Sequence, residues 1–257
     1  MALSRPIPSP DALPPYTNLW AYRKRFAEAA PILMYHKIGS PPLGTRFRGL
    51  YLPTWLLERQ LCEWKLAGWA SARFEDFIEA GTPMRRQICL TFDDGYASVH
   101  QEALPLLRGQ GFQAIVFLVA DRIGGSNDWD VVIGEKPTAL MDRVQIEEWM
   151  QAGQEIGGHT LSHPSLVRLT PSEALREIVD GKKKLEDLFG RSIDHFSYPY
   201  GDWNPRIRDF VAEAGYRTAC TVERGVNGPG ADPFLLRRIM ACRPPRTLRT
   251  LFGLMPG

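Results

Sequence analysis

The sequence predicts an α/β fold in which one parallel sheet closes, or nearly closes, into a barrel. Three observations carry this. From Pro31 onward apolar strand-like runs alternate with amphipathic helical stretches, a glycine follows most of those stretches, and 257 residues is a length that one α/β barrel uses. In chain order, strands are expected over 32–35, 87–92, 114–119, 155–158, 196–198, 218–222 and 235–240. Helices are expected over 54–67, 98–110, 142–152, 172–189 and 205–214. The first helix carries Trp55, Leu56, Leu61 and Leu66 behind a Pro53-Thr54 start, and the fourth opens on Thr170-Pro171, where threonine can cap and proline suits the first turn. Gly111, Gly153, Gly190 and Gly215 stand where helices should stop. Residues 1–30, with Pro6, Pro8, Pro10, Pro14 and Pro15, read as an N-terminal arm with little to bury and one helical turn near 20–29; 31–257 reads as one domain.

Composition narrows the function classes. With 44% hydrophobic and 23% charged residues the chain is an ordinary globular protein, which excludes disorder, collagen and coiled coil. Its 31 basic and 29 acidic residues nearly cancel, which argues against nucleic acid and anionic membrane as partners. No apolar run approaches the ~20 residues of a membrane span, and 1–30 lacks a secretory h-region, so the chain as given is expected to be cytoplasmic. Cys62, Cys89, Cys220 and Cys242 form no CxxC and are expected to be buried free thiols.

Parallel barrels carry their chemistry at the C-terminal ends of the strands. Three runs fall there. Leu90-Thr91-Phe92-Asp93-Asp94-Gly95 ends a strand with two carboxylates, of which one can bind a cation and the other take a proton; alone, the run also suits a helix N-cap. His159-Thr160-Leu161-Ser162-His163-Pro164 follows a glycine-rich strand, and two imidazoles four residues apart can face one cation, although unrelated histidines share such spacings. Phe196-Ser197-Tyr198-Pro199-Tyr200-Gly201 can wall a sugar pocket and offer the Tyr200 N–H to an oxyanion, or be a plain turn.

Taken together and in order, TFDDG, HTLSHP and YPYG resemble the polysaccharide deacetylases, the NodB-homology group of carbohydrate esterase family four. The resemblance extends to Leu33-Met34-Tyr35-His36, to 149–164 and to Leu236-Arg237-Arg238-Ile239, and so covers about 31–241. It implies a distorted, NodB-like (β/α) barrel, commonly seven-stranded, and a divalent metal, often zinc. It further implies Asp94, His159 and His163 as metal ligands and Asp93 as general base. The implied reaction is hydrolytic removal of an acetyl group from an N-acetylated sugar or glycan, with metal-activated water as nucleophile and the Tyr200 amide beside Pro199 steadying the oxyanion.

The pattern also departs from the family. Many members carry an arginine where this chain has Ser197, so Arg238 is the expected cation partner of Asp93. The family's later Asp-Trp pair and acid histidine are missing, and His36 at the end of the first strand could supply the proton that the leaving amine needs, although a packed histidine fits that position as well. These gaps keep two alternatives open: a barrel that retains metal and binds sugar without turnover, and a hydrolase of another non-peptide C–N bond. His100 and His195 read as surface or packing residues. Trp55, Trp64 and Trp69 read as core or interface packing more than as sugar platforms, and 121–138 is long enough to be a lid, a specificity loop or a surface excursion.

Overall fold

The computed structural model describes residues 16, 18–22, 24, 26, 31–74, 86–228 and 230–241. Cys242 and most of the expected arm lie outside the described residues. The strands are β1 (Ile32–Tyr35), β2 (Lys37–Ile38), β3 (Tyr51–Leu52), β4 (Ala70–Ser71), β5 (Gln87–Phe92), β6 (Ile115–Leu118), β7 (Glu155–Gly158), β8 (His195–Ser197), β9 (Thr218–Arg224) and β10 (Leu236–Met240). Strands β1, β10, β9, β8, β7, β6 and β5 are hydrogen-bonded in that order, all parallel, and β1 pairs back onto β5. That pairing closes a seven-stranded barrel from the seven strands expected of the sequence. β4 adds a short flap to the start of β5, and β2 pairs with β3 in a separate two-stranded sheet.

The helices are α1 (Leu19–Tyr22), α2 (Thr54–Leu66), α3 (Leu104–Gln110), α4 (Asp128–Val131), α5 (Arg143–Gln151), α6 (Pro171–Phe189) and α7 (Pro205–Glu213). Thr170 caps α6 as its position suggests, exchanging hydrogen bonds with Glu173. The helix expected from residue 98 opens instead as a wide turn over Val99–Ala103, with the Leu104 N–H reaching back to Val99 O. Pro105 has no N–H to give Gln101, and the loss of that bond loosens the turn there.

Strand alternation decides what faces the barrel axis. Ile32, Cys89, Ile115, Phe117, Cys220 and Leu236 fill the interior together with Phe74. Their neighbours Leu33, Leu90, Val116 and Leu118 face outward into the larger core under the helices. Following the same parity toward the strand ends brings Thr91 and then Asp93 inward from β5, and Arg238 inward from β10. The interior is thus apolar at its base and polar just below its mouth. Cys89 and Cys220 are free thiols in the apolar part, where burial raises both thiols, and Cys62 is a half-buried free thiol on α2.

Two expectations need correction. The described residues of the arm are not idle: Tyr16, Leu19, Tyr22 and Phe26 are buried. Tyr16 bonds through its N–H to Met240 O at the end of β10, and its ring stacks on Trp64 at 5.2 Å. Three aromatic rings and a leucine can bury more surface than the five prolines upstream suggested, so these residues close one side of the core over α2. Trp64 is fully buried and Trp69 packs edge-on against it at 4.9 Å, whereas Trp55 is 53% exposed on the outer face of α2 and is not core.

His195 at the start of β8 is a packing residue, buried against the Phe74 ring at 5.0 Å with Nδ1 bonded to Thr218 Oγ1. Burial holds its pKa down to about 4. The unfolded chain therefore binds a proton at this residue from about pH 6.5 downward and the folded one only near pH 4, so this group makes stability fall as pH drops through that window. The expected loss is on the order of 3 kcal/mol. His195→Leu should flatten this slope in urea unfolding between pH 4 and 7; an unchanged slope would assign the acid sensitivity to other groups.

Candidate metal centre and active site

Asp93 and Asp94 sit where β5 ends. The Asp93 N–H still bonds to Tyr35 O, which keeps its side chain pointing down the barrel axis. Asp94 then takes φ 71 and Gly95 φ 77, and this left-handed turn swings the second carboxylate toward the same side as the first. Adjacent acids that would diverge on a regular strand here share one site.

Arg238 meets Asp93 from across the barrel. Nη1 donates to Asp93 Oδ1 at 2.7 Å and Nη2 to Asp93 Oδ2 at 2.8 Å. Nη1 also donates to Thr91 Oγ1, Nη2 to Ser197 Oγ, and Nε to Thr221 O. All five guanidinium donors are used, as a buried arginine requires. Burial alone would raise the Asp93 carboxyl, but the charge and hydrogen bonds of Arg238 outweigh it and hold the acid below its ordinary range. The small Ser197 side chain leaves room for the guanidinium from β10 and accepts one of its hydrogen bonds.

Asp94 faces the two histidines. Its Oδ1 lies 3.2 Å from His159 Nε2 and 3.3 Å from His163 Nε2, and the three ligand atoms all fall within 4.8 Å of one another. His159 Nδ1 is 2.7 Å from Ser197 O, a carbonyl that can only accept, so Nδ1 carries a proton and Nε2 is the nitrogen turned to Asp94. Burial pulls the His159 pKa down, but the hydrogen bond to Asp94 and the two aspartates outweigh it and raise it, so a positive charge is favoured between Nε2 and Oδ1, either a proton or a cation in its place. Ligands about 2.0–2.1 Å from a tetrahedral cation stand roughly 3.4 Å apart, close to the separations of the two imidazoles from Asp94. The buried N,N,O set therefore fits a divalent metal.

The turn that carries His159 and His163 is held from behind. Thr160 and His163 both have positive φ, and the His163 N–H bonds to Thr160 Oγ1. Glu177 of α6 accepts from Leu161 N, Ser162 N and Ser162 Oγ. Gly181, one turn further on, lets the helix approach: a Cβ there would lie 2.8 Å from Leu161 N. Of the five non-glycine residues with positive φ among those described, Asp94, Thr160, His163 and Tyr200 belong to the site motifs and only Arg86 does not.

These groups floor a cleft of about 360 Å³. His36 lines it, with Nε2 3.9 Å from Asp93 Oδ2, and burial lowers its pKa despite the two aspartates. Pro199 is buried and Tyr200 half exposed on a turn after β8, the Tyr200 ring standing edge-on to His163 at 4.8 Å. Trp129 and Asp130 form another wall, Trp129 stacked on the opposite partner of that contact, the His163 ring, at 4.4 Å. The long connection flagged in the sequence is thus ordered and reaches the cleft.

The family profile described as polysaccharide deacetylase matches residues 80–219, more than half of the chain. The chain belongs to the polysaccharide deacetylase family. Among its relatives, YxkH of Bacillus subtilis (strain 168), named for the same family, is 26% identical over 227 residues, covering 87% of this chain and 75% of that protein. The chitooligosaccharide deacetylase of Azorhizobium caulinodans is 28% identical over 138 residues, covering 53% of this chain and 58% of its own. The deacetylase PplD of Streptococcus pyogenes, solved with acetate, superposes with TM-score 0.73 at 23% identity over 89% of this chain and 99% of PplD. IcaB of Ammonifex degensii gives 0.72 at 20% identity over 88% and 97% of the two chains. At these identities the two structures show that the fold is shared.

Within this polysaccharide deacetylase barrel, the sequence reading missed Glu177 and Gly181 behind the histidine turn and Trp129 and Asp130 in the wall. Glu177 and Gly181 lie on one helix four residues apart, a spacing that marks a shared face. Nothing local in the sequence marks Asp130. Asp94→Asn should lower metal content of the purified protein, measured by elemental analysis after dialysis, whereas Asp93→Asn should retain it, since Asp93 bonds to Arg238 and not to the histidines. Equal metal loss in both variants would remove the division between the two acids.

Proposed function

We propose that this chain is a metal-dependent deacetylase that hydrolyses the N-acetyl group of an N-acetylated sugar or glycan to acetate and an amine. One observation carries the reading: an ionised, fully cradled carboxylate, Asp93, stands one residue from a buried Asp94-His159-His163 set at the floor of an open cleft. Asp94, His159 and His163 are the residues that hold the cation, and zinc suits two imidazoles and one carboxylate. When bound there, a divalent cation supplies Lewis-acid polarisation of the acetyl carbonyl and acidifies the attacking water.

Asp93 is the general base. Arg238 favours its ionised form and fixes its two oxygens in a plane, so the charged carboxylate cannot turn away. The Tyr200 N–H donates to the oxyanion that forms as water adds to the carbonyl, and buried Pro199 sets the turn that presents it. The C–N bond then breaks and the nitrogen must gain a proton. His36 is the general acid; its lowered pKa keeps it neutral in the resting site, so it delivers a proton that it first receives during the attack, from the side of Asp93. The substrate partners of this reaction are N-acetylated glycans or their precursors, which agrees with what the chitooligosaccharide deacetylase of Azorhizobium caulinodans is named for.

A barrel that only binds sugar rests on two gaps, the missing arginine and the missing acid histidine; it is the weaker reading because Arg238 stands in for the first and His36 is at hand for the second.

The test is acetate release from N-acetylglucosamine oligomers and other N-acetyl glycans by metal-loaded protein. Arg238→Lys keeps the charge but loses the paired contact and should lower kcat by about 10²-fold with metal retained. Arg238→Met leaves a buried carboxylate without a partner and should also lower stability by about 3–5 kcal/mol in chemical unfolding. Full turnover in the folded lysine variant would remove Arg238 from the mechanism, and metal-loaded protein that releases no acetate from any N-acetyl glycan would overturn the deacetylase reading.

A further inference from the structure

The connection between β6 and β7 brings a carboxylate into the cleft that neither the cation set nor Asp93 uses. Asp130 on α4 is only 6% exposed and lines the cleft with His163 and Tyr200. Its Oδ2 accepts from Asn127 Nδ2 at 3.1 Å, and among the described residues no hydrogen-bond donor reaches Oδ1. Lys37 does not serve it: that ammonium is buried between the Tyr51 and Tyr96 rings, 5.0 and 4.5 Å from their centres, with no hydrogen-bond partner. That free oxygen is not among the buried atoms without a partner and opens on the cleft, where a donor carried by a ligand can take the place of water.

The support of Asp130 is rigid. Its carbonyl accepts from Ile133 N and Glu135 N, and Asn127 Oδ1 accepts from Thr138 N at 2.6 Å. The Glu135 carboxylate in turn accepts from Arg46 N and Phe47 N, tying the connection to the loop before β3. The neighbouring Trp129 ring stacks on His163, so α4 is fixed against the residue that helps hold the cation. An acceptor set this firmly beside the reacting position is built to meet a donor on the substrate.

We propose that Asp130 is a substrate-binding residue whose open oxygen accepts a hydrogen bond from a hydroxyl group of the sugar ring that bears the acetamide. The inference rests on the deacetylase reading above and adds the wall that selects the sugar. The acetyl group itself offers a methyl and a carbonyl, neither of which can donate to a carboxylate. With that group over the cation set, the donors left to face Asp130 are the amide N–H and the ring hydroxyls; the N–H belongs to the bond being broken, at the level of Asp93 and His36, which leaves the hydroxyls for the wall.

Three probes separate these contacts: an aryl acetate ester with neither N–H nor hydroxyl, acetanilide with the N–H alone, and N-acetylglucosamine oligomers with both. In Asp130→Ala, kcat/KM on the oligomers should fall about 10- to 100-fold relative to the aryl ester, mostly through KM, with metal content and thermal unfolding as in the parent. Asp130→Asn, which keeps a neutral acceptor, should recover part of the loss. An equal loss on all three probes, or a loss of metal, would make Asp130 a support of the cation site and overturn the inference; so would unchanged oligomer kinetics. A loss shared by acetanilide and the oligomers would assign the contact to the amide N–H and overturn the hydroxyl. Parent protein that cleaves the ester and no N-acetyl sugar defeats the deacetylase reading itself, an outcome distinct from the others because it appears before any substitution is made.

Discussion

The ion pair between Arg238 and Asp93 is the constraint around which the upper barrel is arranged. It lies in the barrel interior, above the apolar layer of Cys89, Phe117 and Cys220, where two charges cost much to desolvate. A hydrophobic pair of similar volume would stabilise the fold as well or better. What the ion pair supplies is direction: five donors from one rigid plane reach β5, β8 and β9, so three strand ends and one carboxylate are fixed relative to each other. A parallel barrel offers this because alternation sends Thr91, Asp93 and Arg238 to the same axis from strands far apart in sequence.

The Asp94-His159-His163 set is tied to that frame through one residue. Ser197 receives Arg238 on its hydroxyl and His159 on its carbonyl, so one residue of β8 links the Asp93–Arg238 pair to the histidine side of the site. The Ser197 carbonyl decides which nitrogen of His159 is turned to Asp94, and the strained turns at Asp94, Thr160 and His163 bring the remaining ligand atoms to it. Backbone strain of this kind persists only where packing over-determines it, which is the part played by Glu177 and Gly181 on α6. The helix therefore does more than cover the sheet: its inner face shapes a turn whose residues are not its neighbours in sequence.

Much of this was legible in the sequence, for physical reasons. Strands buried on both faces read as unbroken apolar runs, and each stopped at a residue that could not continue it, so the ends that carry Asp93, Asp94 and His159 could be located. Arg238 could be found because Ser197 left Asp93 without the expected cation and Arg238 stands in a predicted strand that ends at the same face. The arm was misjudged because proline content describes what a segment resists and not what its aromatic residues can cover, and Tyr16, Tyr22 and Phe26 stack into the Trp64 cluster. For Trp55 the core half of the core-or-interface expectation fails, because helical periodicity gives a face without saying where that face ends. Trp129 and Asp130 were invisible, since a short helix in a long connection has neither the period of a strand nor a cap of its own.

That division separates two kinds of residue in the cleft. Asp93, Asp94 and His159 come from strand ends, where the barrel ladder fixes the backbone and little change is tolerated without moving a neighbouring strand. Trp129 and Asp130 come from a connection, which can lengthen or change composition while the ladder stays intact. The wall can therefore change while the barrel and the strand ends are kept. Asp130 sits at the join between the two, on a connection by sequence but next to Trp129, whose ring stacks on His163, so that a change in this wall must also preserve the stacking on the His163 ring.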